Sequence, residues 1–308
     1  MKIYHSLQEL IGHTPMVQLS RFEVPANVNL FVKLELYNPL GSVKDRTGKY
    51  MIEAAEKRGE LRPNSTIILA TAGNTGIGIA FAALNRGYRV IFVVPDKFSE
   101  EKQILMQALG AEIIHTPREG GMLEANRRAE ELKRHTPNAV TLDQFSDPSN
   151  PQAHFETTGP EIYEDLDGQI DYFVAGAGSG GTFTGVARYL KSRNPNIQAV
   201  LADPIGSTIA GGEHADYSIE GIGNDFIAET LDISLMDMAI KVSDDEAFAA
   251  CRELARREGI IAGSSSGAAL SAALRLAKSG VSGNIVTVLP DRGDRYFSKH
   301  LYIPTDLI

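Results

Sequence analysis

The chain has a single cysteine, Cys251, in 308 residues. No internal disulfide can form, and a reducing cytoplasm is the expected compartment. Basic charge is also scarce. Lys and Arg total 30 against 39 Asp and Glu, a formal net charge of −9. A phosphate backbone needs a basic face, so no nucleic-acid partner is expected. A small anion is not excluded, because a Gly-rich turn can hold a phosphate on an acidic protein. No apolar run approaches the roughly 20 residues that span a bilayer. The opening Met1-Lys2-Ile3-Tyr4-His5-Ser6 lacks the apolar stretch of a signal peptide. Neither a membrane partner nor secretion is expected. The seven histidines show no H-x-H or H-E-x-x-H spacing, so no metal site is expected. Repeats of solenoid length and low-complexity tracts are missing too. Cys251 falls on one helical face with Phe248, Leu254 and Ala255, the pattern of an inert core thiol.

What is present is an ordinary globular composition, 43% hydrophobic and 22% charged. Apolar runs alternate with helical patterns almost throughout. Strands are predicted at Ile67–Ala70, Val90–Val94, Ile113–Ile114, Asp171–Ala175, Gln198–Ala202 and Ile285–Leu289. Ser99 is placed to cap a helix that stops at Gly110. Ser243 with Glu246 matches a capping box, and Gly259 closes the helix it opens. Strands that are apolar throughout are buried on both faces, which is the habit of parallel sheets. The expected fold is α/β, in two lobes, each a mostly parallel twisted sheet with helices on both faces. Asp147-Pro148-Ser149-Asn150-Pro151 reads as the loop between the lobes, giving regions 1–150 and 151–308. The Gly-rich stretch from Pro204 to about Asp225 is long for a connection and reads as functional or mobile.

Three small-residue loops could hold an anion. Thr71-Ala72-Gly73-Asn74-Thr75-Gly76-Ile77-Gly78 lies between a strand and a helix. Gly176-Ala177-Gly178-Ser179-Gly180-Gly181-Thr182 follows a strand at a helix start, where free N–H groups and the dipole favour a phosphate. Gly263-Ser264-Ser265-Ser266-Gly267 also opens a helix. Any one could be a plain βα turn; three at strand C-terminal ends point to a ligand cleft. The second loop also matches G-x-G-x-x-G, with Asp203 about 20 residues on, so a nicotinamide dehydrogenase competes on that motif. It leaves the first loop and Lys44 unexplained. Lys44, within Asn38-Pro39-Leu40-Gly41-Ser42-Val43-Lys44-Asp45-Arg46, opens a helix. A cation there meets the wrong end of the dipole, which helps lower its pKa as an amine nucleophile requires.

Taken in order, N-P-x-G-S-x-K-D-R, T-x-G-N-T-G-I-G, G-x-G-S-G-G-T and G-x-S-S-G resemble the fold-type II pyridoxal-phosphate enzymes, the tryptophan synthase β-like fold. The resemblance is to the cysteine synthase and cystathionine β-synthase family. Leu10-Ile11-Gly12-His13-Thr14-Pro15 and Glu220-Gly221-Ile222-Gly223 extend it over nearly the whole chain.

The resemblance implies pyridoxal 5′-phosphate on Lys44, the Schiff-base lysine. It implies Asn74 at the cofactor's O3′, Gly178, Ser179, Gly180, Gly181 and Thr182 around its phosphate, and Ser265 at its pyridine nitrogen. Thr71, Ala72, Gly73, Asn74, Thr75 and Gln144 would face the substrate carboxylate, with Gly223 on the substrate side. The implied reaction is β-replacement on O-acetyl-L-serine or L-serine, giving cystathionine from homocysteine, cysteine from sulfide, or both. The family also implies a homodimer, amino acids as small-molecule substrates, and a small lobe of about residues 45–150 that closes on them. Two departures stand out. Ala72 replaces the Ser usual in the first loop, and Asp291, in Pro290-Asp291-Arg292-Gly293-Asp294-Arg295-Tyr296, stands where cysteine synthases commonly have Ser. Cystathionine-forming, O-acetylserine-dependent members are more similar there. Asp291 could equally be a turn aspartate. Competing expectations are a cysteine synthase alone, a serine or threonine dehydratase, the dehydrogenase, and a non-catalytic metabolite sensor.

Overall fold

The computed structural model describes residues 3–96, 99–299 and 301–303. The strands β1 (Met16–Gln18) and β2 (Val28–Leu34) lead into α1 (Lys44–Lys57). A run of βα units comes next: β3 (Thr66–Ala70), α2 (Asn74–Ala83), β4 (Arg89–Pro95), α3 (Glu100–Ala108), β5 (Glu112–Thr116), α4 (Gly121–His135) and β6 (Ala139–Val140). A helical stretch is built from α5 (Ser149–Ala153), a π-helical turn (His154–Thr158) and α6 (Gly159–Asp165). The rest is β7 (Tyr172–Gly176), α7 (Gly181–Arg193), β8 (Gln198–Pro204), β9 (Met238–Val242), α8 (Asp244–Glu258), α9 (Ser264–Ala277) and β10 (Gly283–Leu289).

Two sheets result. One has the order β1-β2-β10-β7-β8-β9, the other β5-β4-β3-β6. Every pairing is parallel except β1 with β2. The α/β expectation holds, because β4 and β8 are buried nearly end to end with helices over both faces. The predicted caps also hold. Ser99 accepts from the Lys102 N–H, and Ser243 and Glu246 form the reciprocal capping box closed by Gly259 at φ 71°. Among the described residues, no helix is long and apolar enough to cross a membrane.

Three features differ from the sequence-based expectation. Strand β2 alternates in burial over residues 28–32, is buried throughout at 32–34, and pairs with β10, so residues 28–34 complete the sheet formed by the chain's second half. The stretch 147–151 is no open loop: Asp147 caps the turn, and Ser149, Asn150 and Pro151 are buried in α5. Pro151 lies in the first turn of that helix, where its missing N–H is not needed. Strand β9 has no counterpart among the predicted strands; it is a half-exposed edge strand carrying the mixed pattern Met-Ala-Ile-Lys-Val.

The first sheet carries two cores, one centred on Leu30, Val200, Leu270 and Ile285 and the other on Phe173, Phe183 and Val286. The second sheet packs Ile67, Phe92 and Val94 against Met51, Ile77 and Met106. Helices α1 and α2 cross where Gly48 meets Gly78. A Cβ on Gly48 would lie 2.3 Å from the Gly78 carbonyl carbon, and one on Gly78 would lie 2.2 Å from the Lys44 carbonyl oxygen. Only backbone fits there, so α1 begins directly against the helix that carries Asn74.

Candidate active site

Lys44 is the first residue of α1. The next two residues, Asp45 and Arg46, set its position. The Arg46 guanidinium is buried and grips two carboxylates, with Nε to Glu35 Oε2 at 2.8 Å and Nη1 to Glu161 Oε1 at 2.6 Å. Charge-assisted, bidentate bonds of this kind hold direction as well as energy. Asp45 adds a bond from the Leu40 N–H at 2.6 Å. The Lys44 amine is thereby aimed at the second loop and meets Ser179 Oγ at 3.4 Å. Burial lowers its pKa to about 8. The sequence points to the helix end as the cause of such a shift; desolvation is the cause in the structure.

The second loop opens α7, with Gly180 in the left-handed region at φ 84°. Its back is packed tight. A Cβ on Gly178 would lie 2.4 Å from the Gly221 carbonyl oxygen, and one on Gly181 would lie 2.1 Å from Asn150 Oδ1. Asn150 Nδ2 donates to Ser179 Oγ at 2.9 Å and to the Gln144 carbonyl at 2.8 Å. Thr230 Oγ1 donates to the Ser179 carbonyl at 2.5 Å. Thr182 Oγ1 lies 3.2 Å from His154 Nε2, a fully buried imidazole that burial holds neutral, with Arg46 and Lys44 adding to the effect. Asn224 Nδ2 donates to the Gly178 carbonyl at 2.7 Å, and the Gly223 N–H donates to the Ala177 carbonyl at 2.8 Å.

From the other sheet, Gly73 caps α2 with open space where a side chain would stand. Thr75 Oγ1 donates to Gln144 Oε1 at 2.7 Å, which joins two of the predicted carboxylate-binding residues. Thr71 is buried and Ala72 half-buried. Asn74 Nδ2 donates to Asp291 Oδ2 at 2.7 Å, and Asn74 Oδ1 accepts from Arg295. The Gly263 N–H donates to the Asp291 carbonyl at 3.0 Å, which draws the third loop, with buried Ser265, to the same place. Asp291 is therefore a buried carboxylate between loops, not a surface turn aspartate.

All three loops and Lys44 thus meet at the C-terminal ends of the two sheets. Asn150, His154, Asn224, Thr230 and Arg295 are partners that the sequence pattern does not single out. Asn150 lies where Pro, Asn and Ser suggest a linker. His154 has no spacing motif to mark it in Gln152-Ala153-His154-Phe155-Glu156. Asp203, the acid expected to bind a ribose in the dehydrogenase reading, is occupied: Lys241 Nζ lies 2.6 Å from Oδ2, and the Ala210 N–H donates to the same oxygen. Cys251 is the buried core thiol expected, donating to the Gly263 carbonyl at 3.3 Å, with burial pushing its pKa up to about 12.

A phosphorylated aldehyde fits this arrangement. A helix N-terminus whose glycines are backed by packed atoms presents backbone N–H groups alone to an anion. An amine with a lowered pKa stands beside it, and hydroxyls and an amide surround the remaining space. The profile of the pyridoxal-phosphate dependent enzymes matches residues 7–291. An O-acetylserine dependent cystathionine beta-synthase of Bacillus subtilis is 49% identical over 303 residues, covering 98% of this chain and 99% of that one. A cysteine synthase of Helicobacter pylori is 44% identical over 309 residues, covering 98% of this chain and all of the relative. The crystal structure of an O-acetylserine dependent cystathionine beta-synthase from Helicobacter pylori superposes with a TM-score of 0.92, at 44% identity, over 98% of this chain and 100% of that one.

Proposed function

We propose that this chain, which belongs to the pyridoxal-phosphate dependent enzymes, replaces the β-acetoxy group of O-acetyl-L-serine with a sulfur nucleophile, forming cystathionine from homocysteine and cysteine from sulfide. The observation that carries the reading is the Lys44 amine, its pKa lowered to about 8, directed at the start of α7.

Gly178, Ser179, Gly180, Gly181 and Thr182 would hold the cofactor phosphate, where the α7 dipole and free N–H groups favour a dianion. Ser265 would face the pyridine nitrogen and Asn74 the O3′. When bound, the cofactor supplies an electron sink conjugated to the substrate α-carbon. Thr71, Gly73, Thr75 and Gln144 orient the substrate carboxylate, with Ala72 beside it and Gly223 lining the substrate side. Lys44, acting through Nζ, takes the α-proton and returns it after the C–O bond to acetate has broken and the C–S bond has formed. An amine of pKa about 8 suits both transfers near neutral pH. Ser265 would meet the pyridine nitrogen with a neutral hydroxyl, a weaker partner for ring charge than a carboxylate would be.

Asn74, Thr75 and Gln144 sit on the second sheet's side and the phosphate loop on the first sheet's. A lobe of about residues 45–150 closes over the substrate and excludes water. Lys102 of α3, 2.7 Å from Glu220, already ties the two sides together. The working form is a homodimer in the cytoplasm, following the family resemblance. The test is an absorbance spectrum of the purified protein before and after O-acetylserine. A visible band that shifts with O-acetylserine and is restored by homocysteine or sulfide is the expected result. A colourless protein that pyridoxal phosphate does not reconstitute overturns the reading.

A further inference from the structure

We propose that Asp291 and Arg295 are positioning residues that lock the Asn74 side-chain amide so that it turns an N–H, and not its oxygen, toward the cofactor. Because this inference rests on the reading of Asn74 as the group at the cofactor's O3′, it specifies which end of the amide does the work.

An asparagine amide has one acceptor oxygen and two N–H donors, and its two ends have nearly the same shape. The neighbours must therefore choose. Here Oδ1 is taken by the Arg295 guanidinium, and one N–H is taken by Asp291 Oδ2 at 2.7 Å. The flipped amide would set oxygen against a carboxylate and NH2 against a guanidinium, losing both bonds in a buried place. The second N–H is left over as a donor.

The clamp is itself fixed. Asp291 is 1% exposed, and the same Oδ2 accepts from Tyr296 Oη at 2.7 Å. Arg295 also donates to the Leu40 carbonyl. The backbone around Asp291 is tied on two sides, with the Val43 N–H on the Pro290 carbonyl at 2.8 Å and the Gly263 N–H on the Asp291 carbonyl at 3.0 Å. Asp291 thus touches the chain beside Lys44, the Asn74 amide and the start of the Ser265 helix. Gly263 is required by this packing, since a Cβ there would lie 2.1 Å from Asp291 Oδ1. Among the described residues Oδ1 is buried without a partner, so a proton can sit on it while Oδ2 goes on accepting. Acceptance at Oδ2, not net charge, is what the clamp needs.

An N–H donor at O3′ favours the ionised ring oxygen and hence the visible band; an amide oxygen there favours the protonated form and the near-ultraviolet band. The experiment is the ratio of these bands, with pyridoxal phosphate affinity by equilibrium dialysis, in protein reconstituted with pyridoxal phosphate. Asp291→Ala and Arg295→Met, each freeing one end of the amide, are expected to lower the visible share and weaken affinity by roughly three- to tenfold. Asp291→Asn, whose oxygen can accept both bonds, is expected to keep the wild-type ratio. In an Asn74→Ala background, Asp291→Ala is expected to change the ratio no further. An unchanged ratio in Asp291→Ala and Arg295→Met overturns the assignment. So does an Asp291→Asn protein that falls as far as Asp291→Ala, or an equal shift without Asn74. Wild-type protein that takes up no cofactor at all overturns the functional reading instead, and the clamp with it.

Discussion

The Lys44 amine offers a sharp quantitative test, because its titration can be read without cofactor or substrate. Burial places its pKa at about 8 in a protein whose ordinary lysine value is 10.5. At pH 7 about one amine in eleven is then neutral, against about one in 3,000 for an unshifted lysine. A less basic amine is also a weaker nucleophile. Carrying over the thiol Brønsted slope of about 0.45 takes back roughly tenfold. The net expectation is a reactivity roughly 20- to 30-fold above that of an unshifted lysine at pH 7. The perturbation is pH, applied to the cofactor-free protein. A brief pulse of an acetylating reagent is followed by unfolding and complete labelling with its heavy isotope. Mass spectrometry of the Lys44 peptide then gives the fraction labelled in the folded state. Labelling should rise about tenfold per pH unit below 8 and level off above it. The same peptide in unfolded protein should level off near the ordinary lysine value. A folded-state profile that tracks the unfolded one refutes the desolvation argument. The sign of the linked stability effect is also fixed. Between about 8 and 10.5 the unfolded chain binds the proton that the folded chain has lost, so cofactor-free protein gains stability as pH rises through that window.

Gly78→Ala places a methyl 2.2 Å from the Lys44 carbonyl oxygen, with backbone on the other side, so thermal melting should show a loss of about 2–3 kcal/mol or a failure to fold; a wild-type melt would mean that α1 and α2 can separate at no cost. Arg46→Ala strands the buried Glu35 carboxylate, and urea unfolding at neutral pH should show a loss of about 3–5 kcal/mol. Burial pushes Glu35 up, and Arg46, with Thr14 and Asn38, more than reverses it, leaving a pKa below 4.5. Its contribution is therefore present above that pH and is lost as the pH falls through the lowered folded value, so wild-type stability should drop on the acid side more steeply than that of the variant. Cys251, pushed up to about 12 by burial, should resist a disulfide reagent at neutral pH until denaturant is added; rapid labelling of native protein would show that α8 opens locally.

The parts of this site that could be read along the chain are those where the chemistry constrains the backbone locally. A phosphate cradle needs bare N–H groups at a helix start, and only small residues allow that, so Gly178, Gly180 and Gly181 declare themselves within five positions. A lysine that opens a helix is conspicuous because the placement is electrostatically poor. Doubly buried strands such as β4 announce a parallel sheet by their unbroken apolar run. The scaffold behind those groups obeys a different rule. Asn150, Thr230 and His154 reach Ser179 and Thr182 from residues 28 to 51 positions away, and Asp291 and Arg295 reach Asn74 across more than 200. Each sits in a stretch whose local pattern is that of an ordinary turn or linker, and what makes it part of the site is a burial that no neighbouring residue predicts. Asp147–Pro151 illustrates the point: Pro, Asn and Ser mark a chain reversal whether the reversal faces water or closes over a hydroxyl. The same logic explains why β2 is hard to see in the sequence while β7 is not. Strand β2 alternates over only its first five residues, and so short an alternation is weak against the polar background around it. The groups that contact a ligand are thus written locally, in glycines and in an ill-placed charge. The groups that aim them are written in long-range pairings, and a side-chain amide such as Asn74 acquires its direction only when Asp291 and Arg295 arrive from the far end of the chain.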